Sequence, residues 1–334
     1  MINVKVSVVV PVYQVASYIE RCAVSLFEQT LPEMQFIFVD DGSPDESCAI
    51  LERVLLRYPE RAEQTLILHH GENRGLPAAR ETGLRHATGE YVAHCDSDDW
   101  VEREMYATLY ASAKSNDADM VLCDSFVEKS EGDPSQWRQS LSPDGDWVRY
   151  LLHRKLIVCV WCRLTRTAIY RKVQFPQKSY LEDWVQTVQV LAYSKIVNLV
   201  HQPLYHYCFN PDSISRIGWK KERCLESLSE RTVNFALMHD FVIGNALADE
   251  DDLITWKIQV RSILLPLLAE NGKYRSLYLN TYPEINWRLL FSRHVSRTQK
   301  VSFLAIFFNL FPLLCKLQRW RSALARWRSR FRVR

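Results

Sequence analysis

The nine residues Val4–Val12 (VKVSVVVPV) constrain the fold more than any other stretch. Six of them are valine, and the apolar run is too continuous for a strand with one wet face. It reads as a central strand buried on both faces, the habit of parallel sheets. Such a strand needs helices above and below it, and the following sequence supplies them. Ser17-x-x-Glu20 reads as a capping box, and the helix after it aligns Ile19, Cys22, Ala23, Leu26 and Phe27 on one face. Met34 to Val39 is a second buried strand. Ser43-Pro44-Asp45-Glu46 then reads as the start of another helix, with a cap, a first-turn proline and an acid. Thr65 to His69 is a third strand. Gly71-Glu72-Asn73-Arg74-Gly75 leads into a helix through Ala78, Ala79 and Leu84. Glu90 to Cys95 and Asp119 to Cys123 are further strands. This alternation predicts an α/β fold, a doubly wound mixed sheet flanked by helices.

Ligands of such sheets bind beyond the carboxyl ends of the strands. The polar residues falling there are Pro11 and Tyr13, then Asp40 and Asp41, then Asn73 and Arg74, then Asp96-Ser97-Asp98-Asp99. Three carboxylates within four residues repel one another unless a cation sits among them or water floods them. Carboxylate oxygens suit Mg2+ or Mn2+, and those ions suit a diphosphate. The same residues also read as a solvated acidic turn capping a helix. No G-x-G-x-x-G follows the first strand and no G-x-x-x-x-G-K-[ST] occurs, which disfavours dinucleotide and P-loop sites.

Taken together, V-V-V-P-V-Y (8–13), V-D-D-G-S-x-D (39–45), N-R-G-L-x-A-A-R-x-x-G (73–83), G-E-Y-V (89–92) and D-S-D-D (96–99) resemble the nucleotide-sugar domain of family 2 glycosyltransferases, the GT-A fold. The resemblance covers roughly the first 125 residues, in order. It implies an inverting enzyme that uses a nucleoside diphosphate sugar, with UDP the expected nucleotide, and a divalent metal, Mn2+ or Mg2+. On that pattern the Pro11–Tyr13 turn and Asp41 hold the base and ribose. Asp96 and Ser97 face the ribose or sugar, and Asp98, with Asp96, binds the metal. Asn73, Arg74 and Arg80 stand around the nucleotide, although Arg80 also reads as a structural partner for a carboxylate.

The second half carries three further segments. Val160–Arg166 resembles the W-N-K-L-Y-R segment of polysaccharide-type members, with Cys162 and Thr165 departing from it. Arg163 and Arg166 keep the positive charge, for a phosphate or for the surface. Tyr180-Leu181-Glu182-Asp183-Trp184 opens an apolar-periodic helix and matches the family's acceptor-site acid pair. Inversion needs a base to deprotonate the acceptor hydroxyl; that role falls to Asp183, with Glu182 as support or alternate. Ile196–Phe209 reads as two short strands around Gln202-Pro203. Asn210–Arg216 resembles the segment that closes over the donor, with Cys208 where arginine is usual and Arg216 as a replacement. His206 is a third metal ligand or a packed core residue.

The expected domains are 1–220 (a nucleotide-sugar half to 125 and an acceptor half from 126), a helical extension over 221–300, and an amphipathic basic tail over 301–334. Val301–Cys315 is strongly apolar but spans only fifteen residues and contains Asn309 and Pro312, short of the ~20 a bilayer span needs. Lys316 to Arg334 holds eight Lys or Arg and no acid, so removing it takes the net charge from +3 to −5. Arginines interleaved with Trp320, Trp327 and Phe331 read as a helix lying in an anionic membrane interface, or as a core helix with a frayed charged end; nucleic acid is disfavoured by the apolar segment before it. No signal peptide is legible at Met1–Lys5. Nine scattered cysteines, with one isolated Cys159-x-x-Cys162, argue for reduced thiols rather than disulfides or zinc. The expected setting is cytoplasmic and peripheral, at the inner face of the cell membrane. There the chain adds a sugar to a surface glycan or lipid-linked acceptor, as in lipopolysaccharide, capsule or exopolysaccharide synthesis. The competing readings are a nucleotidyltransferase and a non-catalytic nucleotide-sugar or membrane scaffold.

Overall fold

The structure, a computed structural model, describes residues 4–128, 135–140, 142, 144–156, 158–270 and 272–317. Val6–Val12 (β1) is buried along its whole length. It lies between Met34–Asp40 (β2) and Tyr91–His94 (β4), parallel to both, and Thr65–His69 (β3) extends the sheet beyond β2. The valine run therefore occupies the central position its composition demands. Beyond β4 the sheet becomes mixed. Its order is β3-β2-β1-β4-β8-β6-β9-β5, where β5 is Trp100–Val101, β6 is Met120–Val127, β8 is Arg163–Arg166 and β9 is Val197–Tyr207; Ser135–Trp137 (β7) pairs with β6.

Two core clusters lie on the two faces of the sheet. One packs Ile19–Phe27 (α1), Ser47–Leu55 (α2) and Met105–Ser115 (α4) around Val8, Val10, Phe36 and Phe38. The other takes Val9, Ile37 and Val39 on the opposite face, with Ala79 of Leu76–His86 (α3), Leu151 of Trp147–Leu152 (α5), Ile169 of Thr167–Tyr170 (α6) and Val188 of Glu182–Tyr193 (α7). The alternation of β1 side chains between clusters is the pleat of a strand wetted on neither side. From Ile214–Ile217 (α8) onward the chain is helical: Cys224–Gly244 (α9), Ile254–Ser262 (α10), Leu265–Leu268 (α11), Arg275–Asn280 (α12), Ile285–Phe291 (α13) and Arg297–Phe307 (α14). These helices continue the second core. Trp256 of α10 is fully buried and meets Trp184 of α7 edge to face at 3.9 Å.

Four local expectations change. The first helix begins at Ile19 with Tyr18 at its N-cap and no side-chain cap, so Ser17 and Glu20 form no capping box. The second begins at Ser47, because Asp45 folds back onto Ser43 Oγ, Ser47 Oγ and the Ala16 amide, which spends 43–46 on a loop. Ile196–Phe209 contains one strand rather than two. A register slip against β6 absorbs Pro203, so the missing N–H interrupts the ladder without ending it. Arg163 is neither at a phosphate nor on the surface: it is buried, donating to Thr187 Oγ1 and Tyr170 Oη.

At the C-terminus the apolar segment is broken. The helix α14 ends at Phe307, Asn309 takes φ +59, and 311–317 are helical again. No helix among the described residues is long and apolar enough to cross a membrane. The arginine-rich sequence over 318–334 lies outside the described residues.

Candidate active site

Strand order reverses between β1 and β4, both of which point their carboxyl ends to the same edge. A cleft of about 570 Å3 opens there. From β1 it is lined by Pro11, Tyr13 and Gln14, from β2 by Asp41, from α3 and its approach by Asn73, Gly75 and Ala79, and from the β4 end by Asp96, Ser97 and Asp98. Ser179, just before α7, Tyr207 at the end of β9, and Asn210 and Asp212 just after it close the other side. Nearly all the predicted donor residues therefore meet in one cavity. Arg74 is exposed outside its lining and Arg80 lies beneath it.

Asp41 is buried and fully engaged. Its carboxylate accepts the Arg74 and Gly75 amides at 2.9 and 2.8 Å and faces His70 Nδ1 at 2.7 Å. Asp41 thus folds the Asn73-Arg74-Gly75 turn against the cleft. Gly42 is needed beside it: at φ +70, a Cβ there would meet the backbone of Glu72 and Asn73 at 2.8 and 2.9 Å.

The acidic cluster divides into different tasks. Asp99 is buried and structural, accepting Tyr205 Oη and the Cys208 amide, each at 2.7 Å. Asp96 and Asp98 line the cavity. Arg80 Nη2 donates to Oδ1 of Asp96 at 2.5 Å, and Asn210 Nδ2 donates to Oδ2 of Asp98 at 2.8 Å. The second oxygen of each carboxylate has no side-chain donor among the described residues. Burial, and then the charge of Asp96, push the Asp98 carboxyl above its usual range. A cation between the two would relieve that repulsion, and their hard oxygens fit Mg2+ or Mn2+. Two further groups of ligand-capable side chains lie outside this lining: Asp40, Cys48 and His69, and His153, Asp252 and His294.

Arg80 connects this pair to α7. Its other terminal nitrogen, Nη1, donates to Glu182 Oε1, and Glu182 also accepts from Gln186. Arg80 and Glu182 are both buried. Of Arg80's two sequence readings, the geometry is that of the carboxylate partner. The turn into α7 is strained, with Leu181 at φ +66 and ψ +26, a costly position for a branched side chain. Asp183 follows. One of its oxygens accepts its neighbour's amide (Trp184, 3.0 Å). Burial raises its carboxyl to about 6, against the opposing pull of Arg80.

His206 lies away from this cavity. It stacks on Trp100 at 3.4 Å, and its two nitrogens face Glu102 at 2.9 Å and Glu128 at 3.1 Å. Arg216 stacks on Phe209 at 4.2 Å, and the cation that reaches Cys208 is Arg21 of α1, at 2.8 Å from its sulfur. Gln14 and Ser179 are lining residues that sequence reasoning missed, since each is a lone polar residue outside any motif. Tyr205 is also new: its hydroxyl accepts the Asp96 amide while donating to Asp99.

The profile described as "Glycosyl transferase family 2" matches residues 7–174, about half of the 334-residue chain. The uncharacterized glycosyltransferase EpsJ of Bacillus subtilis is 30% identical over 277 residues, 80% of this chain and 78% of its own. Glycosyltransferase GlyA of Streptococcus pneumoniae is 28% identical over 71% of this chain, which spans only 36% of GlyA's length. Among solved structures, TarS of S. aureus, residues 1-349 in complex with UDP-GlcNAc, shares the fold with a TM-score of 0.58 at 17% identity, over 90% of this chain and 91% of that one. The mannosyltransferase PcManGT from Pyrobaculum calidifontis, in complex with GDP-Man and Mn2+, gives a TM-score of 0.50 at 17% identity, over 94% and 87%. With half the chain matched by the profile and four fifths aligned to EpsJ, this protein belongs to glycosyl transferase family 2 and is a glycosyltransferase.

Proposed function

We propose that the chain transfers a sugar, with inversion, from a nucleoside diphosphate sugar to a surface glycan or lipid-linked acceptor, using Mn2+ or Mg2+. The observation that carries this reading is the bridge from Asp96 through Arg80 to Glu182, which ties the acidic end of β4 to the start of α7. A leaving diphosphate and an attacking hydroxyl must lie on opposite faces of one anomeric carbon, and this bridge sets the two halves at a fixed spacing. Asp98 and Asp96 hold the metal, which when bound supplies positive charge to the departing diphosphate. Tyr13, Asp41 and Asn73 line the nucleotide end. Asp183 is the base: its carboxyl, near 6, is ionised at neutral pH yet able to take a proton from an acceptor hydroxyl. Glu182 is the standing anion for Arg80 rather than the base. His206 is left out of the metal site because both its ring nitrogens are engaged elsewhere.

UDP is the favoured nucleotide, in line with the TarS complexes, while PcManGT, bound to GDP-Man, makes GDP the competitor. The tail over 301–334 holds the enzyme on the inner face of the membrane, where lipid-linked acceptors are presented. Within that reading, 1–220 holds the transfer site, 221–300 is a helical extension that shares its core, and 301–334 is the membrane-facing tail.

The test is release of nucleoside diphosphate by the full chain from a panel of UDP, GDP and dTDP sugars, with Mn2+ and with chelator. Metal-dependent release supports the reading. Pyrophosphate release would make the protein a nucleotidyltransferase, and no turnover with any donor would make it a scaffold.

A further inference from the structure

The C-terminal helices carry more apolar surface than the fold consumes. On α13, Ile285 and Leu289 are buried, yet Trp287 is 55% exposed and Phe291 86% exposed. On α14, Phe303 and Ile306 face inward, and the helix runs out at Phe308, 63% exposed. Trp287 and Phe308 are joined through Phe307, at 4.9 and 5.2 Å, and Phe291 stands one helical turn beyond Trp287 on α13. Leu310, Leu313 and Leu317, each more than half exposed, carry apolar surface onward to the last described residue. Isolated exposed side chains need no explanation, but a joined aromatic edge of this kind marks a binding surface.

Charge decides what covers it. From Ile285 to Arg334, fifty residues contain twelve Lys or Arg and no Asp or Glu. A second copy placed face to face would set these two cationic segments against each other. An acidic lipid surface would neutralise them. Aromatic side chains beside arginine and lysine are also the composition that settles at the headgroup level of a bilayer.

We propose that the edge formed by α13 and the end of α14 inserts Trp287, Phe291 and Phe308 into the interface of an anionic phospholipid bilayer. This rests on reading the enzyme as membrane-bound through 301–334, and divides that attachment into a tail, the basic sequence over 318–334, and an aromatic edge that also draws on α13. The tail binds by charge and is weakened by salt. The aromatic edge binds by burial and is not. The enzyme therefore stays on the membrane at ionic strengths that release the tail alone.

The experiment is flotation of the full chain with vesicles of phosphatidylcholine mixed with phosphatidylglycerol, at low and high salt, for the wild type and the Trp287→Ser/Phe291→Ser double variant. The wild type floats in both conditions. The variant floats at low salt but loses about tenfold or more of its vesicle affinity at high salt. Phe291 is 86% exposed, so the Phe291→Ser single variant melts as the wild type does and must by itself lower high-salt binding, while Trp287→Ser also loses its packing on Phe307; Phe291→Trp keeps or raises the high-salt binding. Equal flotation of variant and wild type at high salt overturns the proposal. So does a dimer in vesicle-free sedimentation that the same substitutions dissociate. Deleting 318–334 tests the tail by itself: unchanged low-salt binding would remove the tail's role and leave the aromatic edge standing. Donor turnover in vesicle-free solution reports on the transferase reading independently of both.

Discussion

Arg80 is a buried cation whose terminal nitrogens are committed to two carboxylates that come from different elements. Only a planar fork can hold both in one orientation, and lysine, a point charge, cannot. Arg80→Lys should therefore lower kcat by about 100-fold through misplacement of α7 against the metal-binding pair, with a smaller effect on donor KM. Comparable kcat in steady-state assays would sink the bridging role. Asp183→Asn should abolish transfer and leave donor affinity, measured by calorimetry with Mn2+ present, near normal. Asp183 also sets a pH expectation. Its carboxyl is raised, chiefly by burial, to about 6, and only the ionised form can accept a proton. The rate should therefore rise with pH through that region, and a rate flat down to pH 5 would exclude Asp183 as the base. At this scale the sequence was informative about residue type. Asp41, Asp96, Asp98 and Asp183 all stand out as acids at strand or helix ends. It was silent about pairing, because Arg80's partners stand 16 and 102 residues away. No local pattern links them, so the sequence around Arg80 fits a nucleotide contact and a carboxylate partner equally.

At the scale of elements, the placement of Arg80 depends on how closely α3 lies on the sheet. Gly83 sets that distance: a Cβ there would fall 2.4 Å from Val9 Cγ1 and 3.3 Å from Val39 Cγ2. The contacts come from β1 and β2, which are buried on both faces and have no room to retreat. Gly83→Ala should cost about 1–3 kcal/mol in urea unfolding despite its better helix propensity. It should also weaken donor binding, since α3 begins at the turn held by Asp41. An unchanged or higher urea midpoint would mean that α3 is free to slide. The β1-centred alternation was readable because valine-rich runs and helical periodicity are local signals. Both helix starts were misread. Ser17-x-x-Glu20 and Ser43-Pro44-Asp45-Glu46 have capping composition, but Asp45 reaches across to the Ala16 amide and draws both segments into one loop network at the cleft. A contact across 29 residues overrode a preference spanning four.

For the whole molecule, the question is whether the helices after the sheet are an attachment or part of the catalytic body. Their shared core argues for the second. Trp256 is fully buried, donates its indole N–H to the Leu152 carbonyl at 2.7 Å, and packs edge to face on Trp184, the residue after Asp183. Asp252, at the approach to α10, receives His153 and Arg149 from the α5 region at 2.6 and 3.1 Å. So α10 is a buttress for α7, and sequence patterning could not reveal this because 221–300 reads only as helical, with no local signal for what its helices pack against. Trp256→Ala should cost about 3–5 kcal/mol. More tellingly, it should lower kcat in the folded fraction at temperatures well below melting, because Asp183 loses the packing behind its helix. A truncation ending at residue 220 should fail to fold for the same reason. A soluble, active 1–220 fragment would show that the sheet carries the acceptor side by itself and that the C-terminal helices only lean against it.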